Sequence, residues 1–174
     1  MDFELRKWKK DDVFDVAYFA NNRKISCKLK DAFPYPYTLS DAEKYVTKCL
    51  SSDESKMYCR AIVVNGRVAG SIGVYFGTDI LSRTCEIGFW LAENYWNHGI
   101  MSEALMQITN DIFSNYDVVR ISARPFSNNI GSRRALEKAG FELEGIMKKG
   151  AFKDGKYIDY CMYALLRDEE PEIV

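Results

Sequence analysis

Histidine is almost absent from this sequence, and closely spaced cysteines are absent altogether. The 174 residues include one histidine and five cysteines, which are far apart and mostly fall in apolar segments. A zinc site needs several histidine or cysteine ligands at short spacings, and a disulfide framework usually has an even number of cysteines. We therefore expect no bound metal, and we expect the cysteines to be reduced thiols in the core.

The sequence also has no long apolar run and no excess of one charge. No apolar run approaches the ~20 residues that cross a membrane, and the N-terminus has no basic and apolar leader. Lys and Arg number 24 against 25 Asp and Glu, so the formal net charge is -1 and no overall field attracts nucleic acid or an anionic membrane. These features predict a cytoplasmic protein without nucleic-acid or membrane partners.

Apolar periodicity and turn signals predict one α/β domain over residues 1–174, with a frayed tail from Asp168. Asn65-Gly66 predicts a hairpin, because its turn type needs positive φ at both central residues. Strands are predicted at 3–8, 57–64, 67–76, 84–91, 118–123, 141–146 and 157–166. Helices are predicted from 11 or 12 to about 20, and at 40–50, 100–113 and 129–139, with a polar stretch before Asp31. This order predicts a mixed sheet flanked by helices.

The stretch 95–105 leads from an apolar strand, through a short polar turn at Gly99, into a helix. The first turn of a helix has unpaired backbone N–H groups and the positive end of the helix dipole. Such a turn can therefore bind phosphate. The alternative is an ordinary connection between a strand and a helix.

Two further segments are candidates for an active site. Glu86 lies in an otherwise apolar strand, on the face that also presents Gly88 and Trp90. A buried carboxylate is costly without water or a partner, so Glu86 is a candidate general base or else a structural acid held by backbone or tyrosine hydrogen bonds. Tyr35 and Tyr37 each follow a proline in an extended aromatic loop. They form either the rim of a substrate site or packing between two helices.

Four segments, at 33–35, 86–91, 95–105 and 129–141, resemble the GNAT acetyltransferase superfamily in their order and spacing. Within it, the chain is similar to the RimJ/RimL-type branch of protein N-terminal and small-amine acetyltransferases. The resemblance runs from Phe3 to Leu166. It implies the acyl-CoA N-acyltransferase fold, with a central, mostly antiparallel sheet of six or seven strands and about four flanking helices.

The same resemblance implies a cosubstrate and a reaction. Acetyl-CoA would give its acetyl group to a primary amine by direct attack in a ternary complex, without a metal. An α-amine titrates near ~7.8 and a lysine amine near ~10.4, so one modest base suits a protein or peptide N-terminus, as in ribosomal-protein acetyltransferases. A small amine such as a polyamine, an amino acid or an aminoglycoside is an alternative, and so is a CoA-binding module without turnover. A homodimer is also compatible with the sequence.

The acyl-CoA loop of the family has an Arg or Gln, two residues, a Gly, one residue, and a Gly or Ala. This sequence has Trp96, Gly99 and Met101 at those positions, and Asn97 where a further glycine is usual. Only the central glycine is kept, but backbone N–H groups do the binding and most side chains leave them available. The implied phosphate-binding residues are Trp96, Asn97, His98, Gly99, Ile100, Met101 and Ser102.

Further roles are implied by the matching segments. Glu86 would deprotonate the amine through water, and Ser132 would protonate the leaving thiolate. Asn129 would hydrogen-bond the pantetheine, although it could instead cap a helix. The amine itself would lie among Tyr35, Tyr37 and Glu86. The other implied ligands of acetyl-CoA are the backbones of Phe89, Trp90 and Leu91, and the side chains of Arg133 and Lys138, which surface solvation explains equally well.

Overall fold

Seven strands form one sheet in residues 1–167, the part of the chain that the computed structural model describes. The strands, numbered along the chain, are β1 Phe3–Arg6, β2 Met57–Val64, β3 Arg67–Phe76, β4 Thr84–Leu91, β5 Arg120–Ala123, β6 Glu142–Lys153 and β7 Lys156–Leu166. Their order in the sheet is β1-β2-β3-β4-β5-β7-β6. Every neighbouring pair is antiparallel except β4 and β5. The predicted mixed, mostly antiparallel sheet is confirmed, and the tail predicted from Asp168 lies outside the described residues.

Five α-helices accompany the sheet in the described part of the chain, where about four were expected. They are α1 Val13–Ala20, α2 Arg23–Ser26, α3 Leu39–Leu50, α4 Ile100–Asn115 and α5 Ile130–Lys138. The unpredicted helix, α2, is a single turn inside the stretch expected to be irregular. It begins where the side chain of Asn22 accepts a hydrogen bond from the backbone N–H of Lys24 at 2.8 Å. One turn is too short to show helical periodicity, so the sequence pattern did not reveal it.

Local signals place most element ends correctly. In the β2–β3 hairpin, Asn65 and Gly66 have φ of 51° and 76°, as the predicted turn requires. Helix α3 begins slightly before the predicted residue 40, because Thr38 and Asp41 form a reciprocal capping box. Gly140, with φ of 89°, follows the end of α5 as expected.

The final hairpin is longer than predicted. Strand β6 continues to Lys153 instead of ending at residue 146, and the turn at Asp154-Gly155 then leads into β7. The β6–β7 ladder is irregular between Met147 and Ala151, and Lys149 has a positive φ of 52°. This irregular, mostly polar segment lacks the alternation by which a strand is recognised in a sequence.

The core fills the space between the sheet and the helices. The largest fully buried side chains include Tyr163, Ile62, Ile72, Leu105, Ile108 and Ile121. All five cysteines are free thiols; four are buried and Cys27 is partly exposed, so the expectation of core thiols is wrong for Cys27. None of the helices within residues 1–167 is long and apolar enough to cross a membrane.

Candidate active site

A gap in the sheet is the main feature of the candidate site. The pairing of β4 with β5 runs from Thr84↔Arg120 to Glu86↔Ser122 and then ends. Residues 87–91 of β4 continue alongside β3 alone, in a register that ends at Gly70↔Leu91. On the β5 side, this backbone is open to an extended ligand, which can add to it in the manner of a further strand.

A cavity of about 860 Å³ lies next to this gap. The sheet contributes Ser71 and Tyr75 from β3, and Gly88 and Trp90 from β4. The aromatic loop before α3, helix α3 itself, the start of α5 and the tip of the β6–β7 hairpin form the other walls. Among the residues singled out from the sequence, those that the structure brings together here are Phe33, Tyr37, Gly88, Phe89, Trp90, Asn129 and Ser132.

Tyr37 and Tyr35 have different positions relative to this cavity. Tyr37 is buried and lines the cavity, and its backbone N–H donates to the Asn21 side chain at 3.0 Å. Burial raises the pKa of Tyr37 to about 12, so its hydroxyl is protonated at neutral pH. Tyr35 is half exposed, lies outside the cavity lining, and packs its ring 5.7 Å from the Arg23 guanidinium carbon.

Glu86 is next to the cavity and forms ion pairs with two cationic residues of its lining, Lys30 and Arg124. Its partner across β3 is Tyr75, so its side chain is on the same sheet face as the cavity. One carboxylate oxygen accepts from Lys30 Nζ at 3.2 Å, and the other accepts from the Arg124 guanidinium. The hydrogen bond to Glu86 raises the pKa of Arg124. The partners of Glu86 in the structure are therefore cations, which neither of the two alternatives from the sequence had included.

Asn129 and Ser132 lie together at the start of α5. Asn129 is the N-cap, and its side-chain oxygen accepts from the backbone N–H of Ser132 at 3.4 Å. The capping role is thus present in the structure, and the amide group of Asn129 is still available to a ligand. Ser132, in the first turn, lines the cavity from the same side.

The start of α4 provides a cradle that fits a phosphate group. Gly99 is the N-cap with φ of 80° and has no side-chain cap, so the first-turn N–H groups are without intrahelical partners. A side chain added at Gly99 would meet no atom within 4 Å, and His98 beside it is exposed. Asn97 has φ of 64°, and asparagine tolerates this left-handed conformation better than most residues. Its presence in place of the usual glycine is therefore compatible with the loop geometry.

The indole of Trp96 connects this loop to the end of β4. Its Nε1 donates to the backbone carbonyl of Leu91 at 2.7 Å, so that carbonyl already has a partner. Met101 packs against the edge of the core. The loop from Trp96 to Ser102 does not line the cavity and is a separate part of the site.

Arg133 and Lys138 are also outside the cavity lining. Arg133 donates through Nε to the Tyr163 hydroxyl at 3.2 Å and through Nη1 to the Ser127 carbonyl at 3.1 Å. Within the described residues, its third guanidinium nitrogen, Nη2, has no hydrogen-bond partner. Lys138 is exposed in the last turn of α5. As ligands of the adenosine phosphates, both residues stay predictions.

The cavity wall carries more positive than negative side chains. Its acidic residues are Asp31 and Asp41, and its basic residues are Lys28, Lys30, Lys44, Lys48, Arg124 and Lys153. The basic residues come from widely separated parts of the chain, so no cluster of charge is visible in the sequence. Sequence reasoning missed all of them, and only the position of Arg124, directly after the strand that pairs with β4, could have suggested one.

Known proteins resemble this chain in sequence. A family model described as an acetyltransferase (GNAT) domain matches residues 2–142. The probable N-acetyltransferase YjcK of Bacillus subtilis (strain 168) is 29% identical over 139 residues, which cover 78% of this chain and 77% of the relative. The ribosomal-protein-serine acetyltransferase of Escherichia coli (strain K12) is 31% identical over 90 residues, or 52% of this chain and 50% of that protein. Other curated relatives also align over about half of their length.

A solved structure resembles the fold over nearly the whole chain. RimL, a ribosomal L7/L12 alpha-N-protein acetyltransferase in complex with coenzyme A, matches with a TM-score of 0.84 at 24% identity. The match covers 95% of this chain and 94% of that one. The likeness establishes the fold of the described residues.

Proposed function

The chain belongs to the GNAT acetyltransferase family, in its RimJ/RimL-type branch, and from this premise we propose that it acetylates the N-terminal α-amine of a protein or peptide. It is an acyltransferase of the GNAT type. The proposed acetyl donor is acetyl-CoA. Because the reaction consumes this metabolite, we place the protein in the cytoplasm.

The observation that carries the proposal is the end of β4–β5 pairing after Glu86. The residues present fit acetyl-CoA in two places. The backbone of Phe89, which faces away from β3, offers hydrogen bonds to the pantetheine arm, and the uncapped start of α4 offers N–H groups to the pyrophosphate. Asn129, on the other side of the gap, has an amide group for the same arm.

Bound acetyl-CoA supplies a thioester, and the acceptor amine attacks its acetyl carbon. The new C–N bond forms as the C–S bond breaks, and an oxyanion develops against backbone N–H groups of β4. Such donors contribute about 3 kcal/mol to transition-state stabilisation. Ser132, which lines the cavity, is the proposed donor of a proton to the leaving thiolate. The corresponding thiol has an ordinary pKa of about 8.5, so an acid assists the departure of the thiolate without being required for it.

The amine must lose a proton before it attacks. The cations of the cavity wall disfavour a further positive charge beside them, so they favour the neutral form of a bound amine. Glu86 is the proposed proton acceptor, through water, and Lys30 is the exposed partner that would leave one carboxylate oxygen free for this role. Freeing a lysine amine instead of an α-amine at neutral pH would cost about 3.5 kcal/mol more. The name of the Escherichia coli relative supports a ribosomal protein as acceptor.

Thiol release from acetyl-CoA, measured with two acceptor pools, tests the proposal. One pool contains short peptides with free N-termini, and the other contains polyamines and amino sugars. We expect release with the peptides and none with the same peptides blocked at their N-termini. Release with the small amines alone would replace the proposed acceptor with a metabolite. No release with either pool, together with no binding of acetyl-CoA, would contradict the activity itself.

A further inference from the structure

We propose that the acceptor carries a negatively charged group close to its amine, and that Lys44 and Lys48 of α3 bind this group. The inference rests on the proposed function, because it concerns the acceptor of the same site. For a peptide acceptor, the negative group would be an acidic side chain in the first residues after the N-terminus. We call Lys44 and Lys48 the lysine pair.

The lysine pair lies on the β3 side of the cavity, and the gap in the sheet is on the β5 side of β4. Both lysines line the cavity, one helical turn apart on α3. Helix α3 is fixed over β3 by a hydrogen bond between the Tyr45 hydroxyl and Ser71 Oγ, with an O···O distance of 2.6 Å. Strand β3 is on one side of β4, and the gap is on the other side. The lysine pair therefore faces the acceptor and not the acetyl-CoA arm.

In the proposed function, the phosphates of acetyl-CoA bind at a different place. The uncapped N-terminus of α4 is the cradle that fits the pyrophosphate, and its residues do not line the cavity. The lysine pair is thus not needed to explain binding of the cosubstrate. Its position requires another ligand or an ordinary solvated role, and the charges around it discriminate between these.

Three of the other four cations of the cavity wall form an ion pair with a carboxylate, and the fourth, Lys28, donates to the Asn128 carbonyl. Glu86 pairs with both Lys30 and Arg124, and Lys153 pairs with Asp31 at 2.8 Å. Within residues 1–167, by contrast, no carboxylate forms an ion pair with either member of the lysine pair.

Two acids of the same helix are close to Lys44. Glu43, the preceding residue, does not line the cavity, and Asp41 is hydrogen-bonded to the residue before the helix. Asp41, one turn before Lys44, accepts hydrogen bonds from the backbone N–H and the hydroxyl of Thr38 at 2.9 and 2.6 Å. Lys48 Nζ is 5.7 Å from the centre of the Tyr75 ring, so it extends along the cavity floor. The cavity wall as a whole therefore has more basic than acidic side chains, in a chain whose formal net charge is -1.

Two ammonium groups one turn apart attract a carboxylate or a phosphate and repel a second cation. Polyamines and aminoglycosides carry several positive charges and are therefore disfavoured by the same wall. An acidic peptide N-terminus combines the two required properties, an α-amine that is readily neutral and an anion a few atoms away. The lysine pair would therefore also disfavour basic acceptors, and no further residue is needed to explain this selectivity.

The test compares three peptides that share an N-terminal serine and an amidated C-terminus, so that the terminal carboxylate adds no charge. Residues two to four are acidic in one peptide, alanine in the second and lysine in the third. We expect kcat/KM for the acidic peptide to exceed that of the alanine peptide roughly tenfold, mainly through KM, with the lysine peptide lowest. The preference should shrink as salt is added, because the lysines are exposed.

Variants connect this preference to the lysine pair. In Lys44→Gln/Lys48→Gln, the ratio of acidic to alanine peptide is expected to fall towards one, and in Lys44→Glu/Lys48→Glu the lysine peptide should become the preferred one. The matched control is Lys10→Gln/Lys56→Gln, which removes the same charge from exposed positions outside the cavity and should keep the ratio. Free glutamate as acceptor distinguishes a small acidic amine from an acidic peptide.

Each outcome separates this inference from the proposed function. Equal rates with all three peptides, or a preference for the lysine peptide, would overturn the inference and leave the acetyltransferase activity intact. An acidic preference that persists in Lys44→Gln/Lys48→Gln would also overturn it, because other groups would then be responsible. Acetylation of none of the peptides would instead count against the proposed function.

Discussion

At the residue scale, Glu86 forms ion pairs with Lys30 and Arg124, and its proposed role as the proton acceptor can be tested by removing its charge. Glu86→Gln removes the negative charge but nearly preserves the shape of the side chain. If Glu86 accepts the amine proton through water, kcat should fall roughly hundredfold and the dependence of kcat on pH should change. Steady-state kinetics between pH 6 and about 9 measure both quantities.

The control for this variant separates catalysis from structure. Lys30→Gln removes the exposed partner and leaves the pairing with Arg124, so it should not reproduce the loss. Thermal melting of both variants shows whether the fold is affected. An unchanged rate with an unchanged pH profile in Glu86→Gln would remove Glu86 from the mechanism and leave it the role of holding Arg124.

Gly88 gives a second prediction at this scale, because it keeps space open at the cavity floor. A side chain added there would meet only the Tyr75 ring, at 3.9 Å, which is an ordinary contact. Gly88→Val should therefore leave the free energy of unfolding unchanged or slightly raised, since glycine weakens a strand. Its branched side chain would project into the cavity, so kcat/KM should fall at least roughly tenfold.

Gly88→Ala provides a graded comparison, with a smaller loss of activity expected from its single methyl group. Urea denaturation and thiol-release kinetics on the same preparations test the two variants. Full activity in Gly88→Val would show that neither substrate passes this point of the cavity.

Individual residues differ in how well the sequence predicts them. Glu86 could be recognised because it interrupts an apolar strand, and Asn129 because it precedes a helix. Lys30 could not, because its contact with Glu86 joins residues that are 56 positions apart and depends on the completed fold. For Arg124, only its position directly after β5, the strand that pairs with β4, could have suggested a role. The pairing in space supplies information that no local pattern contains.

At the scale of elements, Asp15 connects α1 to β3. One carboxylate oxygen accepts from Arg67 Nε at 2.8 Å, and the other accepts from the backbone N–H of Val68 at 2.9 Å. Asp15→Ala should lower the free energy of unfolding by about 1–2 kcal/mol, since the site is partly exposed and the ion pair is screened by solvent. Urea denaturation should show a lower midpoint with an unchanged m-value.

Asp15→Asn is the matched variant, because its amide oxygen can still accept from Val68. It should be less destabilised than Asp15→Ala, and the difference measures the bond to the backbone. Equal stability of Asp15→Ala and the unmodified chain would mean that apolar packing alone holds α1 against the sheet.

Helices and strands could be predicted where a local sequence pattern marks them, and the prediction was incomplete where no such pattern exists. Helix α4 and the β2–β3 hairpin follow from apolar spacing and a two-residue turn, and both were placed correctly. Helix α2 and the distal half of β6 have no such pattern. They are held by a single cap in one case and by pairing with β7 in the other. Tertiary pairing defines the bounds of β6, whereas the start of α2 depends on a local cap in a segment too short to show helical periodicity.

At the scale of the whole molecule, the fold and the charge of its cavity have different origins. The order of strands and helices is enough to predict a mixed sheet with flanking helices, since neighbouring elements tend to pack together. The positive cavity wall assembles from α3, the segment between α2 and α3, the residues after β5, and the tip of β6. Its charge is a property of the assembled surface, which explains why an almost neutral sequence gave no sign of it.

The buried hydroxyl of Tyr37 and the buried thiol of Cys85 predict that the folded protein loses stability at alkaline pH. Burial raises the pKa of Tyr37 and of the Cys85 thiol to about 12 each. In the unfolded chain, tyrosine titrates near ~10 and cysteine near ~8.5. The folded state therefore binds more protons than the unfolded state between these values. The stability from the neutral groups is fully present below pH ~8.5 and is lost as pH rises towards about 12.

Urea denaturation at intervals between pH 8 and about 11 measures this loss. Each group should contribute a slope of up to about 1.4 kcal/mol per pH unit above its unfolded pKa, with Cys85 acting first and Tyr37 adding to it above pH ~10. Tyr37→Phe and Cys85→Ala remove the titrating groups one at a time, so each should flatten its own part of the curve whatever its effect at neutral pH. If both variants kept the full slope, the alkaline loss would have to come from other groups, and these two side chains would have to reach solvent more easily than their burial implies.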